Sequence, residues 1–553
     1  MHSQGDDSRG ISRRTVLAGL GAAGVLSGTG TAAAALPHGR DGDTGHRPVH
    51  TPGSKHDRMM ATYRLRKDAA RDHCLVGKPS EWNQNDDEAH FGTLACFTKA
   101  LPHDADGIGD PDAYVTLVDA LFGFESLADV PLAPGADRKL ANPVAAGSYD
   151  ITGPDSHALA MPPAPAFASD ETAAEMVELY WQSLLRDLPF ADYGTDPVAQ
   201  AAAAELSTLP GYPGPTDAEG GVSTDLLFRG TLTGSEVGPH LSQFLYHDVP
   251  RGDGLSQPQV YRVAKEGTDY MTDWASWLAI QRGRAPATGD QYEDAPRALQ
   301  TGRDLATYVH RDYVYQAYQD AALVLLGLGV PLGPAFPTSP TSGYFVDFGI
   351  ADVLDAVVAV SHPALHAAWV QKWLVSRRLR PETYGGRVHD QLARGAAHGL
   401  PAALLDSAGL AASAAEHGTY LLSQAYPEGS PTHPSYPAGH AVLAGACVTV
   451  LKAYFDEDAP VPYADASPAG GPALTVRGEL HKLADNMAIG RNWAGIHYRS
   501  DADDGYRLGE AVALGFLVDR AKTYDERYGF DGFRLTTFDG EPVRVGPDGI
   551  TAA

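Results

Sequence analysis

His433-Pro434-Ser435-Tyr436-Pro437-Ala438-Gly439-His440 runs directly into Ala441-Val442-Leu443-Ala444-Gly445-Ala446-Cys447, and the junction between the two halves decides how the chain is read. The second half is small and apolar on most faces, as a helix must be when it is buried on all sides. The first half carries two prolines that fix its approach. His440 therefore stands at the N-terminus of a buried helix, where unpaired backbone N–H groups and the helix dipole favour an anion. Gly439 adds an N–H that a ligand can approach with no side chain in the way. A lone histidine in such a place is usually structural. A Gly-His pair at a buried helix start raises an oxyanion site to an even alternative.

Two further segments bring charge to apolar helices. The first is Ala368-Trp369-Val370-Gln371-Lys372-Trp373-Leu374-Val375-Ser376-Arg377-Arg378-Leu379-Arg380-Pro381. Pro381 disfavours helical geometry at Arg380, so a helix carrying Lys372 should stop by there. Lys372 and Arg380 lie about two turns apart, roughly 12 Å along an axis, and their long side chains can converge on one small anion. A solvated basic helix end would look the same. The second is Arg491-Asn492-Trp493-Ala494-Gly495-Ile496-His497-Tyr498-Arg499-Ser500-Asp501. Six positions separate Arg491 from His497, which puts them on different faces of an unbroken helix. Gly495 can supply the break that turns both inward. Ser500 and Asp503 have capping-box spacing, which predicts a new helix just after His497. Asp501 is placed to take the second imidazole N–H of His497 and fix its tautomer.

Read in order, the segments give Lys-x7-Arg-Pro, Ser-Tyr-Pro-Ala-Gly-His and Arg-x5-His-x3-Asp. This resembles the vanadium-dependent haloperoxidases, which share a core and an anion site with acid and lipid phosphatases. The long first motif, ending Arg377-Arg378-Leu379-Arg380-Pro381-Glu382, is similar to the algal bromoperoxidase branch, as are Ser242-Gln243-Phe244-Leu245 and Asp269-Tyr270-Met271 with Trp277-Leu278-Ala279. The resemblance implies vanadate as cofactor, held by Lys372, Arg380, Ala438, Gly439, His440, Arg491 and His497, with the bond to vanadium from His497. It implies acid/base roles for His440 and His433, a polarising role for Lys372, and support from Asp501 and Trp369. The reactants it implies are hydrogen peroxide, a halide and a small organic acceptor, with hypohalous acid as product. Vanadium would act as a Lewis acid at constant oxidation state. His433 is bromoperoxidase-like, whereas Trp369 is what chloroperoxidases carry, so bromide or iodide is expected before chloride.

Ala438 departs from the family, which commonly has Ser there. Loss of one neutral donor costs on the order of 1 kcal/mol, so weaker cofactor or peroxide handling is expected. Two rivals follow from the same residues. An acid phosphatase would use His497 as nucleophile through a phosphohistidine, with His440 protonating the leaving group. An oxyanion-binding protein with a decayed site has Ala438 as its only support.

The 553-residue chain as a whole fits a mainly α fold with the helical-bundle architecture of that superfamily. Helical period dominates and no run of alternating strands stands out. Helices are expected at 113–124, 171–186, 197–206, 267–281, 303–328, 350–360, 363–378, 402–425, 441–454, 479–492 and 501–528. The expected organisation is an export signal at 1–35, a flexible leader at 36–58, an N-terminal helical region at 59–289, a catalytic helical bundle at 290–530 and a tail at 531–553. Ser12-Arg13-Arg14-Thr15-Val16-Leu17 followed by a short apolar run and Ala32 to Ala35 reads as a twin-arginine signal, which predicts an extracellular or cell-envelope protein. Past it, no stretch reads as a membrane span.

The formal net charge of −27 excludes a general nucleic-acid binder. Only ten of the 42 basic residues are lysines, an acidic, lysine-poor balance that fits a salt-adapted host. Against that background a cluster of Arg, Lys and His invites an anion. Three cysteines make no disulfide scaffold: Cys74 and Cys96 are as well read free as paired, and Cys447 reads as packing. Family analogy makes a homo-oligomer plausible.

Overall fold

The computed structural model describes residues 55–77, 86–464, 471–524 and 529–553. The export signal lies outside them, as does most of the leader, whose last residues belong to a helix, Lys55–Val76. Helices dominate the described residues. The part that positions the site consists of α1 (Asp170–Leu184), α2 (Ile350–Val370), α3 (Pro381–Arg394), α4 (Gly439–Tyr454), α5 (Val476–Trp493) and α6 (Arg499–Ala521).

The central helix is α4, the apolar run that follows His440. Every residue from Ala441 to Tyr454 is buried, and the helix packs on α6, α2 and α5. Its small residues explain how closely it is approached. A Cβ added at Gly445 would sit 2.2 Å from the Tyr506 carbonyl oxygen, and one added at Gly509 2.1 Å from that of Val442. The α4 and α6 backbones therefore cross nearly in contact, which only glycine on both sides permits.

Several expected boundaries move. The helices expected at 350–360 and 363–378 are one, because Pro363 lies inside α2. Proline removes the hydrogen bond to the carbonyl four residues back; that residue, Ala359, is exposed, so water can serve its oxygen. Continuing through 376, this is the one helix among the described residues long and apolar enough, by length and composition, to cross a membrane. It is instead packed against α4 and α6. After α2 the backbone widens into a π-helix, Gln371–Ser376, closed by Arg377 in the left-handed region at φ +47°. Arg380 then begins α3, with Pro381 in its first turn.

The helix expected at 303–328 is two, Gly302–Tyr308 and Gln316–Gly327, separated by a turn that reaches the site. The 267–281 helix shortens to Trp274–Gln281, capped by Asp273. The 402–425 helix divides into Ala402–Leu405 and Ala408–His417, ending at left-handed Gly418. The last helix is α6 and begins at Arg499, not after a Ser500 cap. Tyr498 is its N-cap and Asp501 accepts the Tyr498 N–H at 3.1 Å. The expected tail is an antiparallel sheet, β1 (Phe533–Thr536), β2 (Pro542–Gly546) and β3 (Gly549–Ala552), laid on α4 and α6. All three cysteines are free, Cys74 exposed and Cys96 and Cys447 buried.

Candidate active site

Three backbone devices bring the three motifs together. The left-handed Arg377 and the Pro381 start of α3 turn Arg380 back toward Lys372. Residues 433–438 cross in front of both, with a cis Tyr436–Pro437 bond. Gly495, at φ +82°, breaks the chain between α5 and α6 so that His497 follows Arg491 inward.

The Lys372 Nζ donates to the carbonyls of Pro434 at 2.8 Å and Ser435 at 2.7 Å. Arg380 donates from Nε to His433 O at 3.0 Å and from Nη1 to Ile496 O at 2.9 Å. Its Nη1 also reaches His497 Nε2 at 2.8 Å, and its Nη2 reaches His433 Nδ1 at 2.9 Å. Arg491 Nη1 donates to Val309 O, while its Nε, also buried, has no protein acceptor. Three buried cations thus face mainly carbonyls and imidazoles.

Asp501 fixes the fourth member. Its Oδ2 lies 2.7 Å from His497 Nδ1 and also accepts from Ser435 Oγ and Tyr498 N. Its Oδ1 accepts from Arg378 Nη1 at 3.1 Å, and Arg378 Nη2 pairs with Glu175 on α1 at 2.9 Å. The proton of His497 therefore sits on Nδ1, and Nε2 presents a lone pair toward Arg380. Burial, then the charges of Arg380, Lys372 and Arg491, push the His497 pKa well below its ordinary value and keep the ring neutral. Burial, then Lys372, Arg380 and His497, do the same to His433.

The cations strain against one another. Burial and then Arg380 depress Lys372 far below the usual lysine range. Arg380 is lowered to about 9, by burial and by Arg491, against the pull of Asp501. Asp501 is itself shared with Arg378 and His497. The cage carries uncompensated positive charge in a desolvated place, and an anion relieves both terms.

His440 opens α4 and its Nε2 lies 3.0 Å from Asp312 Oδ1. Burial disfavours the Asp312 carboxylate, but His440 and Arg491 outweigh it and hold the pKa low. Ala438, fully buried, is the N-cap of α4 and offers no side-chain acceptor; its own N–H goes to Asp501 O at 2.8 Å. A Cβ at Gly439 would make only ordinary van der Waals contact, with Trp369 Cζ3 nearest at 3.6 Å, so no neighbour presses on this helix start. The Trp369 indole donates to Ala141 O at 3.1 Å and lies against His433, ring centroids 4.9 Å apart.

Every residue expected at the site is thus brought to it. Asp312, Arg378 and Ser435 are additions. The last two stood inside the motifs with no role attached, and Asp312 carried no local signal at all.

The set of three buried cations, an unprotonated His497 Nε2 facing Arg380 and a glycine at a helix start fits a small oxyanion, and the bundle around it defines an oxyanion-binding helical enzyme. The family model described as the VCPO second helical-bundle domain matches residues 356–524. A vanadium-dependent bromoperoxidase of Corallina pilulifera is 35% identical over 84% of this chain and 93% of its own length. One of Ascophyllum nodosum is 38% identical over 82% and 87%. The homohexameric second vanadate-dependent bromoperoxidase of A. nodosum superposes with a TM-score of 0.83 at 29% identity, covering 93% of this chain and 96% of that one. The chain belongs to the vanadium-dependent haloperoxidases. It is therefore a haloperoxidase whose cofactor is vanadate, which sets aside the phosphatase and decayed-site readings.

Proposed function

We propose that this enzyme oxidises bromide and iodide in preference to chloride, using hydrogen peroxide, and releases hypohalous acid that halogenates small organic acceptors. The observation that carries the site assignment is the buried, uncompensated triad Lys372, Arg380 and Arg491 around the neutral Nε2 of His497. His497 would bond vanadium through Nε2, with Asp501 holding its other nitrogen protonated. The three cations and the Gly439 N–H would take the remaining oxygens by charge-assisted hydrogen bonds. Bound vanadate supplies a Lewis-acidic centre for peroxide.

Around it, the chain's own groups move protons and hold charge. Asp312 occupies His440 Nε2, which leaves Nδ1 to accept a proton from peroxide and return it to the leaving hydroxide. His433, neutral and fixed by Arg380, is the second acid/base group, and Trp369 covers its ring. Lys372, held by two carbonyls, would lie beside the cofactor oxygens and polarise them. Ala438 supplies no hydroxyl, so the charged donors carry the cage.

By analogy with the homohexameric A. nodosum enzyme the protein forms homo-oligomers, and the paired arginines at Arg13 and Arg14 route it through twin-arginine export. Bromination of a phenol reporter by vanadate-reconstituted protein, with vanadium measured by elemental analysis, tests the reading. Turnover with bromide should exceed that with chloride, and His497→Ala should lose both vanadium and activity. Chloride turnover equal to bromide, or an unchanged His497→Ala, contradicts it.

A further inference from the structure

Arg491 is the least tied of the three cage cations. Lys372 is fixed by two carbonyls and Arg380 by four protein acceptors. Arg491 has the Val309 carbonyl and a 3.4 Å approach to the Tyr426 hydroxyl, and its Nε has neither. The Val309 carbonyl comes from the turn that splits the expected 303–328 helix, and three residues later the same turn carries Asp312, which holds His440. One turn thus touches two members of the cage.

His310 stands between those two contacts. Its Nε2 is 2.8 Å from Glu428 Oε1 and its Nδ1 3.8 Å from Asp290 Oδ1, and its side chain is 8% exposed. The imidazole lies flat on Tyr426, with centroids 3.7 Å apart and planes 6° from parallel. On Tyr426 also rests the Arg491 guanidinium, 5.4 Å from the ring centroid. The anchor is firm from the other side too. Arg138 and Lys99 hold the Glu428 carbonyl at 3.1 and 3.0 Å, and His310 overrides burial to keep the Glu428 carboxyl ionised, at about 2.

We propose that His310, hydrogen-bonded to Glu428, with Asp290 near its other nitrogen, and stacked on Tyr426, is a positioning residue that sets the 309–312 turn and so aims Arg491 and His440 at the cofactor. The inference rests on the cage assignment above. It differs from a plain surface ion pair in what it moves: a structural role lowers the melting temperature and leaves the affinity of the folded protein for vanadate alone.

Equilibrium dialysis against vanadate, with bound vanadium read by elemental analysis and folding by thermal melts, separates the two. His310→Gln and Glu428→Gln should each bind vanadate roughly tenfold more weakly, the scale on which outer-shell partners tune a metal site. Tyr426→Leu leaves the His310–Glu428 hydrogen bond and removes the stacking face together with the direct contact to Arg491, and should weaken vanadate binding at least as much if either of the first two fails to fold. His497→Ala, run alongside, should retain no stoichiometric vanadium. Retention there overturns the cage itself. Loss there, with wild-type affinity in the folded variants of His310, Glu428 or Tyr426, overturns the positioning role alone.

Discussion

Ala438 and Asp485 show how single buried residues set limits that their neighbours cannot. Ala438 is the uncapped N-cap of α4, and a hydroxyl there would serve both the helix and an oxyanion. We expect Ala438→Ser to tighten vanadate by about 1 kcal/mol, about fivefold, and to add about 1 kcal/mol of stability as a cap. Dialysis and thermal melts check it; no change in either sinks the idea that this position limits the site. Asp485 lies on α5, buried beside the Ser235 and Tyr506 hydroxyls with no cation paired to it, and a Cβ at Gly230 would collide with it at 1.8 Å. Burial chiefly, then Asp503, raises its pKa to about 8. The folded state then holds a proton that the unfolded chain has released above its ordinary value near 4. Folded protein binds more protons between these values, so stability falls as pH rises from about 4 to about 8. Asp485→Asn, neutral and of the same shape, should flatten that decline and raise the melting temperature at pH 8 to 9 relative to wild type. An unchanged slope of melting temperature against pH refutes the assignment.

Among the elements, the α4–α6 crossing carries the most weight, because α4 supplies Gly439 and His440 and the start of α6 supplies Asp501. The approach is set by backbone meeting backbone at Gly445 and Gly509, with no flexible side chain to yield. Gly509→Ala should cost about 3 kcal/mol or more as the helices are forced apart, seen as a large drop in melting temperature. Since the shift would separate Ala438 from Asp501, vanadate affinity should fall with it. A variant as stable as wild type would mean that the crossing is looser than described. Small residues in the 439–447 run already signalled a buried helix. Their partner was invisible, since Gly505 and Gly509 stand in a stretch whose sequence reads as an ordinary surface-rich helix.

For the whole molecule, charge is the dominant feature. With 69 acidic against 42 basic residues, and most of the cage cations sealed inside, the exterior repels itself. Salt shortens the screening length from about 10 Å at 0.1 M to about 3 Å at 1 M, so the melting temperature should climb as NaCl rises over that range. Calorimetry at fixed pH checks this, and a flat or falling trend would show that the acidic excess is neutralised locally. The vanadate site should be far less sensitive to salt, because buried charges are screened much less than exposed ones.

Sequence by itself determined the mainly α fold and the buried helix after His440, and resemblance to known motifs singled out Lys372, Arg380, Gly439, His440, Arg491 and His497 as cage members, in short segments whose turn chemistry is local: proline at 381 and 437, glycine at 439 and 495. Asp501 was legible for the same reason, four residues from His497. Only the tertiary structure decided where α2 and the 303–328 segment bend, that residues 531–553 form a sheet, and that Asp312 holds His440 from 128 positions away. Pro363 is tolerated because one exposed carbonyl can turn to water, and the 309–315 turn exists because Arg491, His440 and Tyr426 bind it from other segments. Contacts of that kind are settled by packing between distant parts of the chain, and no local pattern of residues records them.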